Sequence, residues 1–104
     1  MSHAVTPKIS IGMPVYNGQP YLVDAVESLL AQTFDDFELI IADNASTDET
    51  EAICHDFAAR DQRVRYIRRP SNIGAAANFS DVMRQSRGED FRWAGADDIC
   101  RPDY

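Results

Sequence analysis

Two adjacent carboxylates, Asp97-Asp98, follow a short apolar stretch, Phe91-Arg92-Trp93-Ala94-Gly95-Ala96. Carboxylate oxygens suit a hard divalent cation, and a cation held there would neutralise a diphosphate. The same pair also fits a solvated turn ahead of Pro102, the ordinary setting of acidic residues. A second polar run, Asp43-Asn44-Ala45-Ser46-Thr47-Asp48, follows the apolar Leu39-Ile40-Ile41-Ala42. Tyr16-Asn17-Gly18 follows a third apolar run, and Arg68, Arg69 and Asn72 close a fourth. An aromatic face can stack on a base, Asp43 can accept a hydrogen bond from a ring N–H, and a guanidinium can meet phosphate. Each residue also has a plainer role open to it. Tyr16 can pack on a neighbouring strand, Ser46 and Asp48 can cap a helix, Arg68 and Arg69 can form a solvated edge, and Asn72 can make a turn before Gly74.

The segments between these tips are of a kind that brings them together. Lys8–Val15 reads as a strand bounded by Pro7 and Pro14, and Tyr16–Gly18 as a turn. A helix then starts at Pro20, with Leu22, Val23, Val26, Leu29 and Leu30 on one face and Asp24 and Glu27 opposite; Gln32–Asp36 is the loop after it. Phe37–Asp43 is a second strand, continuous enough in apolar character to be covered on both faces. Ser46 with Glu49 fits a capping box, with Thr47 or Asp48 as the alternative cap. The following helix turns Ala52, Ile53, Phe57 and Ala58 inward. Val64–Arg69 alternates apolar and basic residues, as expected for a strand near an edge. A third helix carries Ala75, Ala76, Phe79, Val82 and Met83 on one stripe. Arg84 and Arg87 fall in its last turn, and Gly88 is its C′ residue. Asp90–Ala96 is the fourth strand. Strand and helix alternate with one helix per connection, which predicts an α/β fold, a Rossmann-like and mostly parallel sheet with flanking helices. In such sheets ligands bind outside the carboxyl ends of the strands. The loops Pro14–Gly18, Asp43–Asp48, Pro70–Gly74 and Asp97–Asp98 would then ring one crevice, suited to a ligand with a planar ring, a sugar and phosphates.

Composition narrows the classes. The chain has 104 residues, 44% of them hydrophobic and 26% charged, and a net charge of −7. That balance argues against a nucleic-acid surface, which needs clustered Lys and Arg. It leaves room for a nucleotide diphosphate when a metal supplies the positive charge. Cys54 and Cys100 are too few and too isolated for a disulfide framework and read as small apolar fillers in a reducing compartment. His3 and His55 have no partner spacing. No apolar run approaches the ~18 residues of a membrane span. There is no Gly-x-Gly-x-x-Gly after the first strand, no Walker sequence and no nucleophile elbow.

The runs Ile11–Gly18, Ser28–Asp48, Ser71-Asn72-Ile73-Gly74 with Asn78, and Gly95-Ala96-Asp97-Asp98 with Pro102-Asp103 resemble family 2 glycosyltransferases of the GT-A fold. The resemblance runs from Lys8 onward, with several motifs in the right order. It implies an inverting transferase that moves a sugar from a nucleotide-diphosphate sugar to an acceptor hydroxyl with the help of Mn²⁺ or Mg²⁺. By this likeness Asp43 recognises the base, Pro14 and Tyr16 line its pocket, and Asp97 and Asp98 touch ribose and metal. Gly95 stands where the commonest form of the last motif has its first acid. Asn17, Asn44, Ser46 and Asn72 complete the expected nucleotide site.

The resemblance further implies that the general base and the acceptor site lie beyond Tyr104. Residues 8–104 are then expected to be the donor-binding half of a GT-A domain, inactive alone, with residues 1–7 a disordered or tag-like tail. Arg101-Pro102-Asp103-Tyr104 reads as the start of a further helix. A half-domain exposes apolar surface, so a homodimer is one expectation. A cytoplasmic location is another, with membrane association left to a longer protein. The alternative is a non-catalytic nucleotide-binding or scaffolding module of the same fold; a third reading, an unrelated nucleotide-binding enzyme, lacks the glycine-rich phosphate loop it needs.

Overall fold

The run Phe37–Asp43 is buried at every residue and forms β2, an inner strand of the sheet. A strand covered on both faces must be apolar on both, and Leu39, Ile40, Ile41 and Ala42 are all fully buried. Each of the larger three contributes about 2 kcal/mol of burial. The computed structural model describes residues 7–18, 21–31, 36–88 and 90–93. Its elements are β1 (Ile9–Val15), α1 (Leu22–Leu30), β2, α2 (Thr50–Arg60), β3 (Val64–Arg68), α3 (Ala75–Gln85) and β4 (Asp90–Trp93).

All strand pairs are parallel, in the order β3-β2-β1-β4. Ile9 stands opposite Phe37 and Val15 opposite Asp43. On the far side of β1, Ile9 faces Asp90 and Gly12 faces Trp93, and Asp43 faces Arg68 of the edge strand β3. The face carrying Ile11, Met13, Val15, Leu39 and Ile41 packs on Leu22 and Val26 of α1 and on Cys54 and Phe57 of α2. The opposite face carries Ile40 and Ala42 and packs on Val82 of α3. The chain thus builds outward from β1 to β3 and then returns to the other side of β1. That reversal, between β1 and β4, is the switch point where open α/β sheets form a crevice.

Several expected details change. β1 begins at Ile9, not Lys8, and runs through Pro14 to the expected end at Val15. The Val15 carbonyl accepts from Asn44 N–H on the β2 side, so the Pro14 nitrogen, one residue earlier, faces away from β2 and costs that ladder no hydrogen bond. β3 ends at Arg68, not Arg69. In α2, Ala52 is exposed and Cys54 takes the buried position. Among the described side chains of α3, Met83 and Ala76 are exposed, Val82 is buried as expected, and Asn78, four residues earlier, is buried beside it. Periodicity marked Val82 but could not mark Asn78, because a buried asparagine is invisible to a hydrophobic count. α3 ends at Gln85, so Arg87 lies past its last turn. Gly88 is no left-handed cap, since its φ is not positive and Ser86 already caps α3; a Cβ on it would lie 2.6 Å from the backbone nitrogen of Ser10. It is small because the chain crosses close over β1. Pro20, the loop residues 32–35, Ala94–Ala96, Cys100, residues 1–6 and 101–104, and the side chains of Ala75 and Phe79 lie outside the described residues.

Candidate functional site

Three loops leave the carboxyl edge of the sheet, and their polar side chains tie them to one another. Asn17, after β1, has φ of 50°, a left-handed conformation that asparagine tolerates. Its N–H donates to Ser46 Oγ at 2.8 Å, and its Oδ1 accepts from Thr47 N–H at 2.8 Å. Gly18 N–H donates to Thr50 Oγ1 at 2.9 Å. These bonds close the β1–α1 loop onto the β2–α2 loop. Ala45 also has a positive φ, 65°. A residue with a Cβ is costly there, by about 1–2 kcal/mol, and the surrounding bonds hold it. Strain of this kind collects at functional sites.

Asn44 joins the second loop to the third. It is fully buried, its Nδ2 donates to Asn72 Oδ1 at 2.9 Å, and its Oδ1 accepts from Ile73 N–H at 2.8 Å. Asn72 Oδ1 also accepts from Gly74 N–H at 2.8 Å, at the entrance to α3. Asn78, on α3, donates to the Ala42 carbonyl at 2.9 Å and accepts from Arg69 Nε at 3.1 Å. Arg69 also pairs with Asp81. It is therefore turned toward α3, and it forms neither a solvated edge nor an open cationic site.

Asp43 sits at the centre, with no exposed surface. Its Oδ1 accepts from Ser46 N–H at 2.9 Å. Its Oδ2 accepts from the Tyr66 hydroxyl at 2.6 Å and from Arg68 Nη1 at 3.2 Å. Arg68 Nη1 also reaches the Ser46 carbonyl at 3.2 Å, while its Nε lies 3.8 Å from Glu51 on α2. Burial, and then the hydrogen bond and charge of Asp43, push the Tyr66 phenol above its ordinary range, so the hydroxyl keeps its proton and donates. The His55 and Tyr66 rings meet in a T-shaped contact, 4.9 Å between centroids. Below them the Cys54 thiol is pushed up to about 12, by burial first and then by Asp43 and Asp48. It is an inert filler.

The expected capping box is absent. Ser46 Oγ is taken by Asn17, and no side-chain bond caps α2 from Glu49. Asp48 Oδ1 accepts from Thr50 N–H at 2.9 Å and serves the first turn instead.

Of the expected site residues, Asn17, Ser46 and Asp43 form one hydrogen-bonded group and Asn44 and Asn72 another, and the two meet where Asp43 and Asn44 adjoin in the chain. Pro14 and the half-buried Tyr16 lead into it from β1. Asp43, Asn44 and Ser46 are buried and form the floor, while Asn72 and Thr47 are exposed at the rim. Asp97 and Asp98 lie outside the described residues. β4, which precedes them, runs parallel to β1 and so heads for the same edge as Asp43. Among the described residues no group of three or more His, Cys, Asp or Glu is placed to hold a metal. Sequence reading missed Tyr66 and the anchoring role of Asn78. Tyr66 and Arg68 alternate along β3 opposite Ile41 and Asp43, a pattern that names a face only once the register is known.

The family model for glycosyl transferase family 2 matches residues 10–104. The chain is 37% identical over 93 residues to the glycosyltransferase GlyG of Streptococcus pneumoniae, covering 89% of this chain and 31% of GlyG. It is 40% identical over 98 residues to the chondroitin synthase of Escherichia coli, covering 93% of this chain and 14% of that one. Among solved structures, S. aureus TarS 1-349 in complex with UDP-GlcNAc superposes with a TM-score of 0.80 at 26% identity, covering 86% of this chain and 26% of that one. The chain therefore spans about a third or less of the length of these proteins. Fold, motif order and the extent of the match agree: the chain belongs to glycosyl transferase family 2.

Proposed function

We propose that this chain is the donor-binding portion of an inverting glycosyltransferase, which moves a sugar from a nucleotide-diphosphate sugar to an acceptor hydroxyl. What carries the reading is the convergence of the β1, β2 and β3 loop tips at one carboxyl edge, beside the reversal of strand order. Family membership supports glycosyl transfer, and the likeness to TarS bound to UDP-GlcNAc supports a nucleotide sugar as donor.

In this reading Tyr16 offers a face for the base, and Asp43 accepts the base's ring N–H. A carboxylate has about four lone-pair positions, and described residues take three of those of Asp43. Arg68, one-third exposed and bound at 3.2 Å, is the partner most easily displaced to admit a ligand. Asn17 and Asn72 line the rim. Asp97 and Asp98 are the proposed ligands of a Mn²⁺ or Mg²⁺ ion, and their oxygen donors suit such a cation. When bound, the cation supplies positive charge to the diphosphate. The acceptor hydroxyl gives its proton to a general base that we assign to none of these residues, and the isolated chain is expected to bind donor without turning it over.

Titration calorimetry with UDP and Mn²⁺ tests this. The chain is expected to bind, and Asp98→Ala and Asp43→Ala each to weaken binding at least tenfold. If neither substitution changed the affinity, the site would have to be placed elsewhere.

A further inference from the structure

We infer that Tyr66 is a positioning residue for the base contact, its hydroxyl fixing the Asp43 carboxylate so that one oxygen is aimed at the incoming nucleobase. This rests on the donor-nucleotide reading above. The bond is short, 2.6 Å, and reaches Oδ2, while Ser46 N–H holds Oδ1. With one donor on each oxygen the carboxylate plane cannot turn about its bond to Cβ without losing both. Arg68 adds a longer contact to the same Oδ2 and is more exposed, so it is the looser of the two partners. Tyr66 itself is held from both sides. Its strand position is opposite Ile41 in the parallel ladder, its ring packs against the main core, and His55 of α2 closes over it in a T-shaped contact. A rigid aromatic on an edge strand, hydrogen-bonded to a buried acid in the floor of the crevice, is built for orientation. A phenylalanine would fill the core equally well and leave Oδ2 to Arg68 alone.

The test compares UDP with UDP methylated on the uracil ring nitrogen that carries the N–H. Calorimetry is run on the full chain, its Tyr66→Phe variant and a Phe57→Leu control, with folding followed by circular dichroism. The unmodified chain is expected to prefer UDP about tenfold or more, the size of one hydrogen bond to a charged group. Tyr66→Phe is expected to reduce that preference to about threefold or less. Phe57→Leu, a core change without a bond to Asp43, should lower thermal stability and leave the preference unchanged. A preference retained in Tyr66→Phe, or absent from the unmodified chain that nonetheless binds UDP, overturns the role of Tyr66. Failure of the unmodified chain to bind UDP overturns the donor reading instead. Should Tyr66→Phe not fold, 3-fluorotyrosine at position 66 gives a second readout by fluorine NMR. Its resonance should shift with UDP and not with the methylated analogue, and a resonance indifferent to UDP rejects the inference.

Discussion

Ser10 and Glu38 stand opposite each other in register on β1 and β2, both buried, and Ser10 Oγ donates to Glu38 Oε2 at 2.5 Å. Ser10 Oγ in turn accepts from Gly88 N–H at 2.6 Å and Arg87 N–H at 3.1 Å. Arg87 N–H also reaches Glu38 Oε2 at 2.7 Å, and Arg87 Nε and Arg65 Nη1 meet Oε1 at 3.1 and 2.8 Å. One buried carboxylate at the amino end of the strands therefore fastens the α3–β4 connection and the edge strand to the sheet, at the end remote from Asp43. Burial alone would raise the Glu38 pKa. The hydrogen bonds from Ser10 and the Arg87 backbone, with Arg65, outweigh it and hold the carboxyl below its ordinary value.

Glu38→Gln is therefore expected to destabilise the fold by about 2 kcal/mol at neutral pH, less than the ~3–5 of a fully buried pair because both arginines are partly in water. Urea unfolding measures it. The pH dependence has a defined sign. A folded-state pKa below the unfolded one contributes stability above the unfolded value and loses it as pH falls through the folded value. Stability should decline below about pH 4.5, the unperturbed value for Glu, and less steeply in Glu38→Gln. Equal slopes in the two proteins would mean that Glu38 is not part of the acid response. Asp61, lowered by its hydrogen bond to Arg63, contributes in the same direction.

Gly88→Ala and Gly12→Ala should separate backbone from side-chain crowding. A Cβ on Gly88 would meet Ser10 N at 2.6 Å and Ile9 C at 2.7 Å, which are main-chain atoms of β1. A Cβ on Gly12 would meet Val82 Cγ1 at 2.6 Å and Phe91 Cζ at 2.7 Å, which are side-chain atoms. Each substitution is expected to cost about 1–3 kcal/mol. Adding Val82→Ala should recover part of the loss for Gly12→Ala and none for Gly88→Ala, read as shifts in thermal midpoint. Equal recovery in both backgrounds would contradict this packing.

Asn44→Ala removes the strut between the second and third loops and leaves Ile73 N–H without its acceptor. An expected loss of about 1–3 kcal/mol follows from unpairing buried groups. The local signature is faster amide hydrogen exchange at Ile73 by tenfold or more, with strands β1 and β2 less affected. Asn44→Asp keeps an acceptor for Ile73 but loses the donor to Asn72, so its exchange rates should fall between. Unchanged exchange at Ile73 in Asn44→Ala would dismiss the strut.

The local elements were legible because they depend on near neighbours in the chain. The unbroken Leu39–Ala42 run announced a doubly covered strand, and it is one. Leu22 and Val26 marked the buried face of α1, and the alternation of Val64 to Arg68 marked an edge strand. The polar tips Asn17, Asp43, Asn44, Ser46 and Asn72 were legible as a group, since parallel strands joined by helices deliver their carboxyl ends to one edge. Where a buried position was polar, as at Asn78, or a glycine was small for reasons of approach, as at Gly88, the pattern misled.

The sequence by itself determined the alternation of strand and helix, the parallel sheet, the polar edge and the family likeness, all carried by periodicity and short motifs. Tertiary structure alone decided that β4 returns beside β1, that Asp43 is held by Tyr66 and Arg68, and that Ser10, Glu38 and Arg87 form one latch. Those partners lie 23, 25, 28 and 49 residues apart. Contacts at such separations are fixed by strand order and register, which arise only when the helices bury their apolar faces on the two sides of the sheet.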